Sequence, residues 1–170
     1  MNKIVPSLWF DTQCEEAMNY YVDTFNDSPY KKEESRIVSI TRYEKGMEAP
    51  GAEQMEGKVI TGIFELAGQR FMALDGGPIF NFTEATSFYV ECEDQKEVDY
   101  FWNKLSAVPE AEQCGWLKDK YGLSWQIIPK QLGELLGDPD PVIAQRVMLA
   151  MLQMKKIDIQ KLKDARNQNS

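Results

Sequence analysis

Apolar positions along this chain of 170 residues follow two periods in turn. A period near two marks strands, and a period near 3.6 marks helices that bury one face. Residues 4–10 read as a short strand closed by Asp11 and Thr12, after which Ala17, Met18, Tyr21 and Phe25 recur at helical spacing. Thr12, followed three residues later by Glu15, has the form of a capping box for that helix. Residues 26–29 stop it, and strands are predicted at about 35–43, 59–66 and 69–75. Between them, 44–57 reads as a loop containing Pro50, Ala67 and Gly68 form a hairpin turn, and Asp75, Gly76, Gly77 and Pro78 break the sheet.

The same order then starts again. In Ser87–Cys92 the residues Phe88, Val90 and Cys92 share one face, while Ser87, Tyr89 and Glu91 share the other. Val98, Phe101, Trp102 and Leu105 mark an amphipathic helix that begins at Asp94 with Glu97 three residues on. Residues 107–109 close it, and 111–114 read as a short strand. A hairpin follows, its turn bracketed by Asp119 and Gly122 and its second strand ended by Pro129. In that strand Ser124, Gln126 and Ile128 alternate with Leu123, Trp125 and Ile127, so only the first face carries polar atoms. From residue 131 onward the chain is helical. Asp140 and Pro141 start a helix whose apolar stripe includes Ile143, Val147, Met148, Met151, Leu152 and Met154, and the polar residues 161–170 are expected to fray. The pattern as a whole predicts an α+β fold: two βαβββ modules whose curved sheets surround a crevice, helices outside, and a C-terminal helical extension. One domain spans 1–170, with module 1 at about 1–80, module 2 at about 84–130 and the helices at about 131–165.

Composition narrows the chemistry. A charge balance of 19 against 27, or −8, repels phosphate backbones and anionic lipid, so neither nucleic acid nor membrane is an expected partner. The first ten residues hold no long apolar segment of the secretory type. Cys14, Cys92 and Cys114 lie far apart and are odd in number, which argues against a disulfide framework or zinc ribbon and for reduced thiols in a cytoplasm. The chain has no histidine, and so lacks both the commonest metal ligand and the commonest general base near neutral pH. The four tryptophans, Trp9, Trp102, Trp116 and Trp125, could stack on a flat ligand or fill the core; the alternation points Trp9 and Trp125 toward the covering helices.

Taken together, the doubled module and several motifs resemble a known family. The motifs are the opening Pro6 to Asp11 with Glu16 to Tyr21, the hairpin running from Gly115 and Trp116 through Asp119 to Tyr121, Gly122 and Pro129, and the tail Lys156 to Ile159. They resemble the PhnB-like branch of the vicinal oxygen chelate superfamily, which includes glyoxalase I, extradiol dioxygenases and the bleomycin resistance proteins. Members of this branch are often labelled 3-demethylubiquinone 3-methyltransferase. The glycines here do not support that label, since Gly76 and Gly77 precede a proline instead of opening a helix after a buried strand.

In metalloenzymes of the superfamily, side chains from four strands hold a divalent cation. The resemblance places three of those positions on Pro6, Ser87 and Gln126, and the fourth near Met72 or Leu74. None is a histidine or a carboxylate. The expectation is therefore a binding protein of the resistance or sequestration kind, with no metal and no cofactor. The alternative is a metal-dependent lyase, isomerase or dioxygenase of the same superfamily. The expected lining of the crevice is Leu8, Phe10, Phe64, Met72, Ser87, Tyr89, Glu91, Ser124 and Gln126, suited to an apolar or aromatic small molecule. A homodimer is also expected, because the superfamily pairs its modules between chains and the stripe Ile143, Val147, Met151 and Met154 is long for one small domain to bury.

Overall fold

A computed structural model describes residues 3–48 and 51–167. The chain forms two compact units, Met1–Phe82 and Thr83–Ser170. Pro50, which falls in the predicted loop, lies outside the described residues.

The first unit contains β1 (Ser7–Phe10), α1 (Cys14–Asn26), β2 (Arg36–Arg42), β3 (Val59–Leu66) and β4 (Gln69–Asp75). Its sheet has the order β1-β4-β3-β2, with β1 parallel to β4 and the other pairs antiparallel. Ala67 and Gly68 both adopt positive φ, 45° and 80°, as a tight hairpin turn between twisted strands requires. Helix α1 buries Cys14, Ala17, Met18 and Tyr21, the last stacked 6.5 Å from Phe64. The capping box is not formed. The helix starts at Cys14, and Glu15 is held by two 2.7 Å bonds from Arg42. The acceptor at the helix start comes instead from Asp75 at the far end of β4, whose Oδ1 takes the Cys14 N–H at 2.8 Å and whose Oδ2 takes the Val59 N–H at 2.9 Å.

The second unit contains β5 (Ser87–Cys92), α2 (Gln95–Leu105), β6 (Trp116–Lys118), β7 (Ser124–Pro129), α3 (Lys130–Leu136), α4 (Pro141–Leu152) and α5 (Ile159–Asn167). Its sheet has the order β5-β7-β6, with β5 parallel to β7. Asp94 caps α2 by accepting from the Glu97 N–H at 3.1 Å, and Val98, Phe101, Trp102 and Leu105 are all buried, as their spacing predicts. Where a fourth strand was expected at 111–114, Pro109–Ala111 forms a 3-10 turn and Gln113 makes one isolated bridge to Trp116. The chain reverses too sharply there for a strand: Cys114 and Gly115 stand at φ 50° and 87°. A side chain at residue 115 would also meet Ile128, its Cβ falling 2.4 Å from Cδ1.

The C-terminal helices share a core with this sheet. Ile128 of β7 packs in one cluster with Leu132, Leu135, Val147, Met154, Ile157 and Leu162. Backbone bonds from Cys114 to Met154 O (2.8 Å) and from Gly115 to Lys155 O (2.7 Å) fasten the α4–α5 connection to the start of β6, and the Gln95 amide brackets the backbone at Ile157 and Ile159. Two expectations change accordingly. The tail does not fray from residue 161, because Leu162 and Ala165 anchor α5; residues 168–170 lie outside the described residues. The stripe expected to bind a second chain is covered in part: Val147 is fully buried and Met154 nearly so within the same unit, while Ile143 and Met151 are half-buried. The apolar residues that α4 exposes are Val142, Met148, Leu149 and Leu152.

Among the described residues no helix is long and apolar enough to cross a membrane. All three cysteines are free. Burial, helped by the nearby Asp75 and Glu15 charges, pushes the Cys14 thiol up to about 12, and burial pushes Cys92 higher still. Cys114 is only partly buried. An aromatic disulfide reagent at about pH 8 is therefore expected to modify Cys114 alone in the native protein, and all three thiols after denaturation. Rapid labelling of Cys14 or Cys92 in the native protein would contradict this packing.

Candidate ligand site

In the second unit, register decides which side chains share a face. Ser87, Tyr89 and Glu91 of β5 stand opposite Ser124, Gln126 and Ile128 of β7. Across the other edge of β7, Lys118 and Trp116 of β6 pair with Ser124 and Gln126. The reverse face carries Phe88, with its ring 5.6 Å from Trp125, together with Leu117 and Ile127. That face is the packed one, since Trp125, Leu117 and Ile127 are all buried. Strand β7 therefore separates an apolar side from a mixed one, as its alternation predicts.

The mixed face is closed at its Ile128 end by the cluster with α3, α4 and α5. Its other end is polar. The Gln126 side-chain N–H donates to Ser87 Oγ at 2.8 Å, which fixes the orientation of the amide. Ser124, between Ser87 and Lys118, is 1% exposed, and its Oγ has no hydrogen-bond partner. Lys118 Nζ is paired with the carboxylate of Glu84, which it holds below the usual carboxylate range. Tyr89, on the edge strand, is more than half exposed. Partial burial of its ring, with the Glu91 carboxylate nearby, raises the pKa of its hydroxyl above the ordinary tyrosine range. The result is a floor of hydrogen-bonding groups beside an apolar wall, able to orient a small molecule but holding no histidine or thiolate.

The hairpin under this floor is held by Asp119. Its Oδ1 accepts from the N–H groups of Tyr121 (2.8 Å) and Leu123 (3.0 Å), and its Oδ2 accepts from Trp125 Nε1 at 2.9 Å. This buried carboxylate does more than shape a turn. It locks the ring of Trp125 and thereby the pitch of β7, on which Ser124 and Gln126 ride.

The first unit also divides into two faces, but not as the sequence suggests. Leu8 pairs with Ala73, Phe10 with Asp75 and Phe64 with Phe71, and all six are buried. Leu8, Phe10 and Phe64 thus belong to the core beneath α1, where Tyr21 stacks on Phe64, and they do not line an open surface. Met72 shares its register row with Ser7 and Ile63 on the other face, and is 38% exposed. Trp9, expected to point at a helix, pairs with Leu74 on that same outer face. Its Nε1 donates to Gly77 O at 2.9 Å and its ring lies over Gly76, where a Cβ would come within 2.1 Å of it. The row beyond Met72 is charged, with Glu65 clamped between Arg70 and Arg36 at 2.7 and 3.0 Å. The Arg70 guanidinium, hydrogen-bonded to it, holds Glu65 below the usual carboxylate range.

A separate cleft of about 500 Å³ opens beside the start of α1, lined by residues that include Glu15, Arg42, Lys58 and Asp75. Its charged groups are engaged within the protein: Arg42 binds Glu15, Lys58 donates to Thr12 O at 3.3 Å, and Asp75 accepts from two backbone N–H groups. None of the residues predicted to bind a ligand lines it. Of those predicted, Ser87, Tyr89, Glu91, Ser124 and Gln126 come together on one face of the second unit. Sequence reasoning missed Lys118 and Glu84 as members of that face.

Comparison with known proteins agrees with this architecture. No curated protein matches the chain. Among solved structures it is similar to a Bacillus cereus protein, provisionally described as 3-demethylubiquinone-9 3-methyltransferase, PhnB protein. The two are 39% identical with a TM-score of 0.59, over 75% of this chain and 99% of that one. It also shares its fold with a Pseudomonas aeruginosa protein at 17% identity and a TM-score of 0.56, over 76% of this chain and 98% of the other. Residues 2–128 match the family model described as 3-demethylubiquinone-9 3-methyltransferase, and the chain therefore belongs to that PhnB-like family.

Proposed function

We propose that this protein binds a small organic molecule on the polar floor of the second unit, without a metal ion held by its side chains. The observation that carries the reading is the 2.8 Å bond from Gln126 to Ser87. The resemblance assigns both positions to metal ligands, yet here they are two neutral groups that satisfy each other. In the first unit Pro6 has no side-chain donor and its carbonyl accepts from the Met72 N–H at 2.9 Å. Met72 and Leu74 are apolar. Among the described residues no three histidine, cysteine, aspartate or glutamate side chains come close enough together to hold a cation. Such a donor set does not fit zinc or a harder divalent ion.

Neither the glycines nor the sheets fit the methyltransferase that the family's description names. Gly76 gives room to the ring of Trp9, and Gly77 lends its carbonyl to the same indole; neither opens a helix. The sheets have four and three strands with mixed pairing, not the long parallel sheet that cradles an adenosyl or dinucleotide cofactor.

Two hydrogen bonds of about 0.5–1.5 kcal/mol each do not hold a ligand alone, so apolar burial at about 25 cal/mol per Å² must supply the rest. Thermal-shift screening of aromatic and amphipathic compounds is expected to give hits on the wild type that weaken on Tyr89→Ala and Gln126→Ala. Elemental analysis of the same protein is expected to find no stoichiometric divalent metal. Hits indifferent to both substitutions would remove the site. About one metal ion per chain that survives dialysis, and is lost on Gln126→Ala or Glu91→Ala, would overturn the metal-free reading.

A further inference from the structure

Three side chains form one row across the second sheet: Ser87 on β5, Ser124 on β7 and Lys118 on β6. Neighbouring strands lie about 4.8 Å apart, so the row spans the width of a small planar anion and its hydration shell. Each member can donate. Ser87 Oγ already accepts from Gln126, which leaves its own hydrogen to give to a third group. Ser124 Oγ is buried without a partner, an uncommon and unfavourable condition for a hydroxyl. Lys118 carries the charge, and the group it now holds is a carboxylate, that of Glu84. Glu84 comes from the segment before β5 and is well exposed, whereas Lys118 is mostly covered. The anchored member of the pair is thus the cation, and the replaceable member is the acid.

We infer that this row is a seat for the carboxylate of a small organic anion, in the position that the Glu84 carboxylate takes on Lys118. The ligand carboxylate displaces Glu84, a movement that must also uncover the buried Ser124 hydroxyl, accepts from Lys118 Nζ and from Ser124 Oγ, and lays its apolar part along the floor toward Tyr89 and Trp116. A charged acceptor suits this row better than a neutral one, because hydrogen bonds to an ionised oxygen are roughly twice as strong. The inference rests on the reading of the floor as a ligand site and adds the chemistry of the ligand. Glu84 then acts as a built-in competitor that lowers the affinity for stray anions.

The test uses benzoate and its neutral counterpart benzamide, titrated against the full chain by calorimetry. Wild type is expected to bind benzoate weakly and Glu84→Gln about tenfold more tightly, since the competitor has lost its charge. Lys118→Met, in the Glu84→Gln background, is expected to weaken benzoate binding at least tenfold and benzamide, whose neutral carbonyl gains less from the ammonium, about twofold at most, and Ser124→Ala to weaken benzoate several-fold. Circular dichroism of each variant establishes that the fold is kept. Equal binding of benzoate and benzamide, both sensitive to Gln126→Ala, would overturn the carboxylate seat but leave the floor as a ligand site. Failure of Glu84→Gln to bind benzoate more tightly than wild type does would overturn the seat whatever else binds.

Discussion

Replacing Asp119 with alanine is expected to destabilise the second unit by about 3–5 kcal/mol, through the loss of a buried carboxylate. Three donors lose their acceptor at once: the N–H groups of Tyr121 and Leu123, and Trp125 Nε1. Asp119 is 1% exposed and Trp125 2%, so water cannot replace the lost oxygen without opening the hairpin. Each donor left unsatisfied in the interior costs about 1–3 kcal/mol. Asp119→Asn keeps one acceptor oxygen but turns an NH2 group toward another donor, and is expected to recover less than half of the loss. Urea unfolding followed by tryptophan fluorescence measures both. A midpoint unchanged in Asp119→Ala would mean that strand pairing alone holds the turn. Because Ser124 and Gln126 follow the hairpin on β7, the substitution is also expected to weaken ligand binding on the floor.

The second large effect is expected at Asp75, where alanine should cost the first unit about 3–4 kcal/mol. Its two oxygens accept from Cys14 at the start of α1 and from Val59 at the start of β3. No side chain near the helix start takes its place, since Gln13 makes no capping bond and Glu15 is engaged by Arg42. The anionic acceptor at the positive end of α1 is lost as well. Hydrogen exchange gives a local readout: the Cys14 and Val59 amides are expected to lose protection before the centre of β3 does. Equal protection in wild type and Asp75→Ala would refute the role given to this carboxylate.

How far the sequence discloses these features depends on the phase of each strand. Residues 123–127 alternate between apolar and polar, so the placing of Ser124 and Gln126 on one face follows from pattern alone, and Ser87 with Tyr89 likewise. Leu8, Trp9 and Phe10 are three apolar residues in succession, and such a run has no phase of its own. Pairing with β4 decides it, setting Leu8 and Phe10 under α1 and Trp9 on the other side. Asp75 did leave a signal. It continues the buried phase of Phe71 and Ala73, and a carboxylate on the core side of a strand must find donors. Its position directly before Gly76, Gly77 and Pro78, which break the sheet, masks its place in the helix start. Lys118 and Glu84 are 34 residues apart and carry no spacing that announces a pair, so only the folded chain unites them.

The bond from Cys14 to Asp75 closes a loop of 61 residues, and β1 likewise waits for β4 as its sheet partner. On the ribosome these elements therefore emerge well before the groups that complete them. At roughly 5–20 residues per second, the start of α1 exists for about 3–12 s before Asp75 is synthesised. During that interval the apolar residues of β1 and α1 have no sheet to cover, and the nascent chain offers them to chaperones. Slower codons between residues 14 and 75 are therefore expected to lengthen that exposure and to lower the yield of folded protein without altering it once folded.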